Sequence, residues 1–284
     1  MKTIKIAGVP EHFNHPWQMC IENGEFNEVG INLEWSNVPE GTGKLCQMLR
    51  DNETDMAIIL TEGIVKDIAN GNPSKIIQKY IQSPLLWGIH VASASAFKTL
   101  ADLENKKAAI SRFGSGSHLM AFVNANNQGF SKESVAFEVV NTIDGAVEAL
   151  TNQKADYFMW ERFMTQPLVD NGTFRKLADC PTPWASFIVV ATDKALEENK
   201  YCIAQILEII NNTTIEFKQI PSIDRTLANV FNLKLENVQQ WLSLTQWSQT
   251  NFTKKEIEQL QNQLLQFELI KNKISYNEVV CSLV

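Results

Sequence analysis

Over its first two thirds the chain alternates between short apolar runs and longer amphipathic ones. Runs rich in β-branched residues and bounded by Gly, Pro, Asn or Ser predict strands over 3–8, 31–38, 55–60, 75–81, 86–92, 107–110, 135–140, 156–160, 174–178 and 185–191. Helices are read between them, over 15–27, 42–52, 61–70, 117–127, 142–152 and 162–170. Alternation of this kind predicts an α/β protein with mostly parallel sheet flanked by helices. From Asp193 onward the pattern becomes almost wholly helical. There Ile257, Leu260, Leu264 and Phe267 mark one helix face, and Thr253 followed by Glu256 reads as a capping box. Neither an internal repeat nor a low-complexity linker interrupts the chain. Periodicity alone leaves one continuous sheet and two separate sheets both open.

Composition narrows the function classes. The 284 residues suffice for one large or two medium domains, and 44% hydrophobic with 20% charged residues is ordinary for a globular protein. A formal net charge of -7 argues against a general nucleic-acid or anionic-membrane binder, because both reward a positive surface. It leaves an anionic ligand open, since one local arginine outweighs distant charge screened by salt. The start, MKTIKIAGVP, reads as a strand rather than a signal peptide, and no apolar run reaches spanning length. Cys20, Cys46, Cys180, Cys202 and Cys281 are odd in number, far apart and without a C-x-x-C pair, which fits reduced thiols. A cytoplasmic protein without membrane insertion is the expectation.

The strongest chemical signal is Ile110-Ser-Arg-Phe-Gly-Ser-Gly-Ser-His118, set between a short strand and a helix. Glycines let backbone approach a ligand, and a helix start supplies free N–H groups and positive potential. Arg112 adds a planar fork for a carboxylate, sulfonate or phosphate, and Ser115 and Ser117 add hydroxyls beside Gly114. The same residues also describe an ordinary strand–helix turn with Ser117 as N-cap. The nucleotide-binding glycine spacing, G-K-[ST] and G-x-S-x-G are all absent.

Other candidates sit at strand ends, where α/β sheets place their sites. Glu11, His12, Phe13 and His15 follow the first strand. His12 and Phe13 are ligand candidates, whereas three possible metal ligands crowded into one turn make a poor metal set. No metal and no cofactor are expected. Thr42 lies between Gly41 and Gly43, and Thr61 and Glu62 open the next helix, where a carboxylate also suits the helix dipole. Among Trp87, Trp160 and Trp184, Trp160 at a strand end is preferred as a ring that touches ligand, although such rings are more often core.

These residues resemble the type II periplasmic-binding-protein fold, in the branch of sulfonate- and taurine-binding and thiamine-pyrimidine-synthase-like proteins. Within it, the chain is similar to signal-less fungal and bacterial proteins with no settled ligand. The matching pieces are Gly8–Phe13, Pro39–Gly43, Asp55–Ile58 with Leu60–Gly63, Ser83–Ile89 and Ser111–His118. The resemblance implies two lobes, 1–92 plus 185–284 and 93–184, with hinges near Ser93 and Trp184 and a ligand cleft between them. It implies ligand contacts from His12, Thr42, Thr61, Arg112, Ser115, Ser117 and His118. A missing secretion signal and lipid-anchor cysteine weigh against a transporter partner. The cysteine-rich motif of the eukaryotic pyrimidine synthases is absent too, so their chemistry is not carried over. The expected function is binding of a small anionic organic metabolite, a sulfonate, carboxylate or pyrimidine precursor, with hinge closure. The alternative is a lyase- or dehydratase-like enzyme resembling menaquinone-pathway enzymes, with His118, His12 or Glu62 as general base.

Overall fold

The structure, a computed structural model, describes residues 1–283. The chain divides into two compact units, Met1–Ser83 joined by the chain from Trp184 onward, and Pro84–Pro183.

The first unit begins with β1 (Lys2–Gly8), whose Ile4, Ile6 and Ala7 are fully buried. Each isoleucine so buried contributes on the order of 1.5–3 kcal/mol. The helix expected over 15–27 is two helices, α1 (His15–Glu22) and α2 (Glu25–Glu28), broken at Gly24. Gly24 has φ +76°, a left-handed conformation that a side chain disfavours, so the Asn23-Gly24 pair ends the first helix. β2 (Ile31–Asn37) pairs parallel with β1 from Lys2↔Ile31 to Gly8↔Asn37. Then follow α3 (Thr42–Arg50), β3 (Met56–Leu60), α4 (Thr61–Ala69) and β4 (Ser74–Ile81).

The second unit holds β5 (Leu86–Ala92), β6 (Lys107–Ile110), α5 (Gly116–Gln128), β7 (Ala136–Val139), α6 (Ile143–Thr151), β8 (Tyr157–Glu161), α7 (Arg162–Asp170) and β9 (Phe174–Pro181). Its sheet order is β7-β6-β8-β5-β9. β6 runs parallel to β7 and β8, and β5 runs antiparallel to β8 and β9. The boundary expected near residue 93 therefore lies earlier, at Ser83–Pro84. The reason is β5, which pairs along its whole length with β9, from Leu86↔Pro181 to Ala92↔Phe174.

The chain returns to the first unit as β10 (Phe187–Thr192), buried throughout, and inserts between β3 and β4, antiparallel to both. The first sheet thus has the order β2-β1-β3-β10-β4. In each sheet one strand, β10 or β5, runs against its neighbours, and each is the first strand after the chain passes from one unit to the other. The expected mostly parallel sheet holds in strand direction, with these two reversals.

Five helices close the chain: α8 (Asp193–Glu216), bent at Asn199, α9 (Ile223–Val230), α10 (Leu235–Leu244), α11 (Lys254–Gln266) and α12 (Tyr276–Val279). The capping box is present: Thr253 N–H donates to Glu256 Oε2 at 2.6 Å, and Glu256 N–H donates to Thr253 Oγ1 at 3.3 Å. Ile257, Leu260, Leu264 and Phe267 are all buried. The outer edge of β4 is covered by chain from these helices. Lys79 N–H donates to the Thr250 carbonyl at 2.8 Å and Cys281 N–H to the Ile76 carbonyl at 2.9 Å. An edge so paired offers no template to another chain. No helix among the described residues is long and apolar enough to cross a membrane.

Candidate functional site

In the second unit the candidate site is the passage from β6 into α5. Gly114, at φ +76°, turns the chain, and Ser115 is the N-cap, its hydroxyl accepting from His118 N–H at 3.3 Å. The cap expected at Ser117 is thus two residues earlier. Ser117 is fully buried, accepts from Ser111 N–H at 2.9 Å and lies 3.1 Å from the Ser115 hydroxyl. It ties the strand end to the helix start instead of facing outward. The N–H groups of Gly116 and Ser117 have no acceptor within the described chain. Two of the orphan donors of a 13-residue helix are therefore available, with the positive end of its dipole behind them. Arg112, just ahead, is exposed, and its guanidinium has no hydrogen-bond or ion-pair partner among the described residues.

His118 turns back against its own unit. Its Nδ1 accepts from Gly114 N–H at 3.0 Å, and its ring packs edge-on to Phe137 and Phe122 at 4.6 and 4.9 Å. With that lone pair engaged, Nε2 carries the proton in the neutral ring.

Two tryptophans, Trp87 and Trp160, meet edge-on with ring centroids 6.3 Å apart. Trp160 lies opposite Gly88, stacks on Phe158 at 5.5 Å and packs against the apolar cluster of Ala109, Ala146 and Leu150. Trp87 lies opposite Glu161 and Cys180, and Cys180 is touched by Asn127 of α5. A Cβ placed on Gly116 would stand 2.7 Å from the Trp87 ring, so only glycine fits where that ring meets the helix start. Trp87 lies beside the α5 donors, and the ring of Trp160 stands edge-on to it.

In the first unit the candidates gather after β1 and β3. His12 is buried, tilted against Trp241 at 4.0 Å between ring centroids, and its Nε2 has no partner. Burial lowers its imidazole to about 4, so it is neutral near pH 7. Phe13 stacks on Phe187 at 3.9 Å, while His15 packs edge-on to Phe217 and Phe231. Thr61 is fully buried and its hydroxyl donates to the Ala185 carbonyl at 2.6 Å, which fastens α4 to the returning strand. That donor is committed to the fold, contrary to the expectation of a ligand contact. Thr42 is half-buried at the start of α3. Glu62, in the first turn of α4, is 4% exposed; its Oε2 accepts from Trp184 Nε1 at 2.8 Å and its Oε1 has no partner. Burial pushes its carboxyl up to about 7, against the opposing pull of hydrogen bonds from its own backbone and from Trp184. Half-buried Glu11 is also pushed up to about 7 by burial.

Comparison with solved structures decides the fold. The CA3427 gene product of Candida albicans, said to define a new family with the generic periplasmic-binding-protein fold, matches with TM-score 0.89 and 25% identity, over 99% of this chain and 97% of that one. The chain has the type II periplasmic-binding-protein fold. A model of the Ca3427-like periplasmic-binding-protein family matches residues 87–180, the strand and helix set that includes Trp87 and α5. The alkanesulfonate-binding protein SsuA of Xanthomonas axonopodis pv. citri, bound to MOPS, is similar at TM-score 0.82 and 15% identity, over 99% of each chain. The aliphatic sulphonate-binding SsuA of Escherichia coli is similar at TM-score 0.80 and 16% identity, over 99% of this chain and 92% of that one. Comparison with curated proteins gives no match.

Proposed function

We propose that this periplasmic-binding-protein fold binds a small organic anion at the start of α5, and that the two units close on it about the crossings at Ser83–Pro84 and Pro183–Trp184. The observation that carries this reading is the unpartnered, exposed guanidinium of Arg112 in the same turn as the free N–H groups of Gly116 and Ser117. An oxyanion satisfies all three, and a guanidinium with two aligned amides favours a group with two or three acceptor oxygens. The described sulfonate-binding relatives, one of them bound to MOPS, support a sulfonate or a similar oxyanion. Ligand bound to both units would shift an open–closed equilibrium, the basis for sensing or delivery. Five free cysteines suit a reducing, cytoplasmic setting.

The test is native mass spectrometry of gently purified protein, followed by thermal-shift screening with sulfonates, carboxylates and thiamine precursors. A copurified or stabilising anion that Arg112→Ala abolishes supports the reading, because a ligand that binds only the native state stabilises it by mass action. Stabilisation indifferent to Arg112 sinks it.

A second reading, an enzyme on this fold, is favoured by Glu62 alone. Its buried carboxyl, with one oxygen unpartnered, is held near neutrality, where proton transfer is efficient. His12, neutral with a low pKa, is a weaker base. Conversion of the bound compound by the wild type, with Glu62→Gln retaining binding but not conversion, would establish this reading.

A further inference from the structure

Among the buried polar atoms without a partner, one lies beside the α5 start. Trp87 is 5% exposed, and its Nε1 is closed to water and has no acceptor in the described chain. The far edge of the same ring, Cζ2 and Cη2, lies against Gly116, whose own N–H is one of the two free helix donors. Cζ2 and Nε1 are bonded to the same ring carbon, so the indole N–H lies at the same end of the helix as those amides.

An unsatisfied buried indole N–H is costly, on the order of 1–3 kcal/mol. A phenylalanine would keep an aromatic ring there without that cost, though not the Cζ2–Cη2 edge against Gly116. Such an orphan donor has a physical account if a ligand supplies the acceptor. Trp87 also rests on a built surface: glycine at 116 is required for the ring to sit where it does, and Cys180 and Asn127 fix the same face.

We infer that the Trp87 indole N–H is a ligand donor, which together with the Gly116 and Ser117 N–H groups surrounds one oxyanion group and selects ligands with three acceptor oxygens on that group. This rests on the proposed anion-binding function and names the class within it: sulfonates and phosphonates over carboxylates. A planar carboxylate has lone pairs enough for three donors, but they lie in one plane, so donors placed around the group are not all met in line. A tetrahedral group offers three in a tripod, one for each N–H, with Arg112 completing the neutralisation.

The test uses the full chain, with methanesulfonate and acetate as probes, followed by the indole ¹H–¹⁵N signals of the tryptophans and by titration. The expected result is a downfield displacement of the Trp87 indole signal with methanesulfonate, assigned by its loss in Trp87→Phe. Binding of methanesulfonate should weaken about tenfold or more in Trp87→Phe, whereas acetate binding should change by less than about threefold. In the absence of anion, Trp87→Phe loses the ring edge packed against Gly116 and should melt somewhat lower, in a single transition that shows the variant folds. Methanesulfonate binding that depends on Arg112 but leaves the Trp87 indole signal unmoved and its affinity unchanged in Trp87→Phe overturns this inference and spares the anion-binding function. No binding of either probe overturns both.

Discussion

His90 offers a quantitative check on the core of the second unit. It sits mid-strand in β5 at 0% exposure, its Nε2 3.0 Å from the Thr165 hydroxyl and its Nδ1 without a partner. Burial lowers its imidazole from 6.5 to about 4, opposed in part by the Phe158 and Gly88 backbone and by Asp179, with Lys176 adding to the lowering. The folded pKa is depressed, so the unfolded chain binds the proton more tightly. Stability is complete above pH 6.5 and is lost as pH falls through the window from 6.5 to about 4. At pH 5 the linkage amounts to about 2 kcal/mol, and in full to about 3 kcal/mol. The wild-type pH profile alone does not report this. His12 runs the same way, while Glu62 and Glu11, raised to about 7, lose stability in the opposite direction as pH rises from 4.5. The informative quantity is the difference between wild type and His90→Gln, each unfolded in urea at pH 7 and pH 5. The variant keeps a polar group near Thr165 but carries no titrating ring. Its loss between the two pH values should be smaller than that of the wild type by about 2 kcal/mol. The ring nitrogens followed directly by NMR should show His90 neutral at pH 5.5. A His90 that titrates near 6.5, or equal pH losses in the two proteins, refutes the argument.

Glu62→Gln should act with the opposite sign. Between pH 5 and pH 7 the wild type loses about 2 kcal/mol through this carboxyl that the variant does not, so the variant's melting temperature should gain on the wild type's as pH rises. A parallel pH dependence of the two melting curves would show that Glu62 ionises normally. Thr253→Ala removes one side of the α11 capping box and should cost about 1 kcal/mol in urea unfolding, with Thr253→Ser restoring most of it.

The α/β elements were legible because each strand of this protein carries its own apolar run and its own turn residues. Leu86–Ala92 and Arg162–Asp170 match the expected spans residue for residue. The break at Asn23-Gly24 was also written in the chain, as a dipeptide that marks turns, but the apolar Phe26 beyond it carried the helical pattern across. Assignment of β5 to the second unit was not legible, since an apolar strand does not state its partner; only Pro84 hinted at the boundary. At the candidate site, the Arg112–His118 segment was found from composition and position alone. The direction of each hydroxyl was not. Ser117 and Thr61 turn inward to backbone partners, as helix starts often require of serine and threonine. Trp87 was ranked below Trp160 because its place beside α5 depends on the missing side chain at Gly116, which no apolar pattern shows.

The insertion of one unit within the other has a consequence for synthesis. β1 to β4 leave the ribosome first, yet β10, which must lie between β3 and β4, follows only after the whole of Pro84–Pro183. At about 5–20 residues per second the first strands wait several seconds or more for their central neighbour. The second unit, a continuous segment, has all the chain it needs only once β9 has emerged, a few residues before β10. The nascent first unit meanwhile displays the apolar flanks of β3 and β4, Ile58, Ile59, Ile76 and Ile77, all of them buried in the finished protein. Slowed translation past residue 83 therefore lengthens the interval in which this chain is most open to aggregation and to chaperone capture, whatever its final stability.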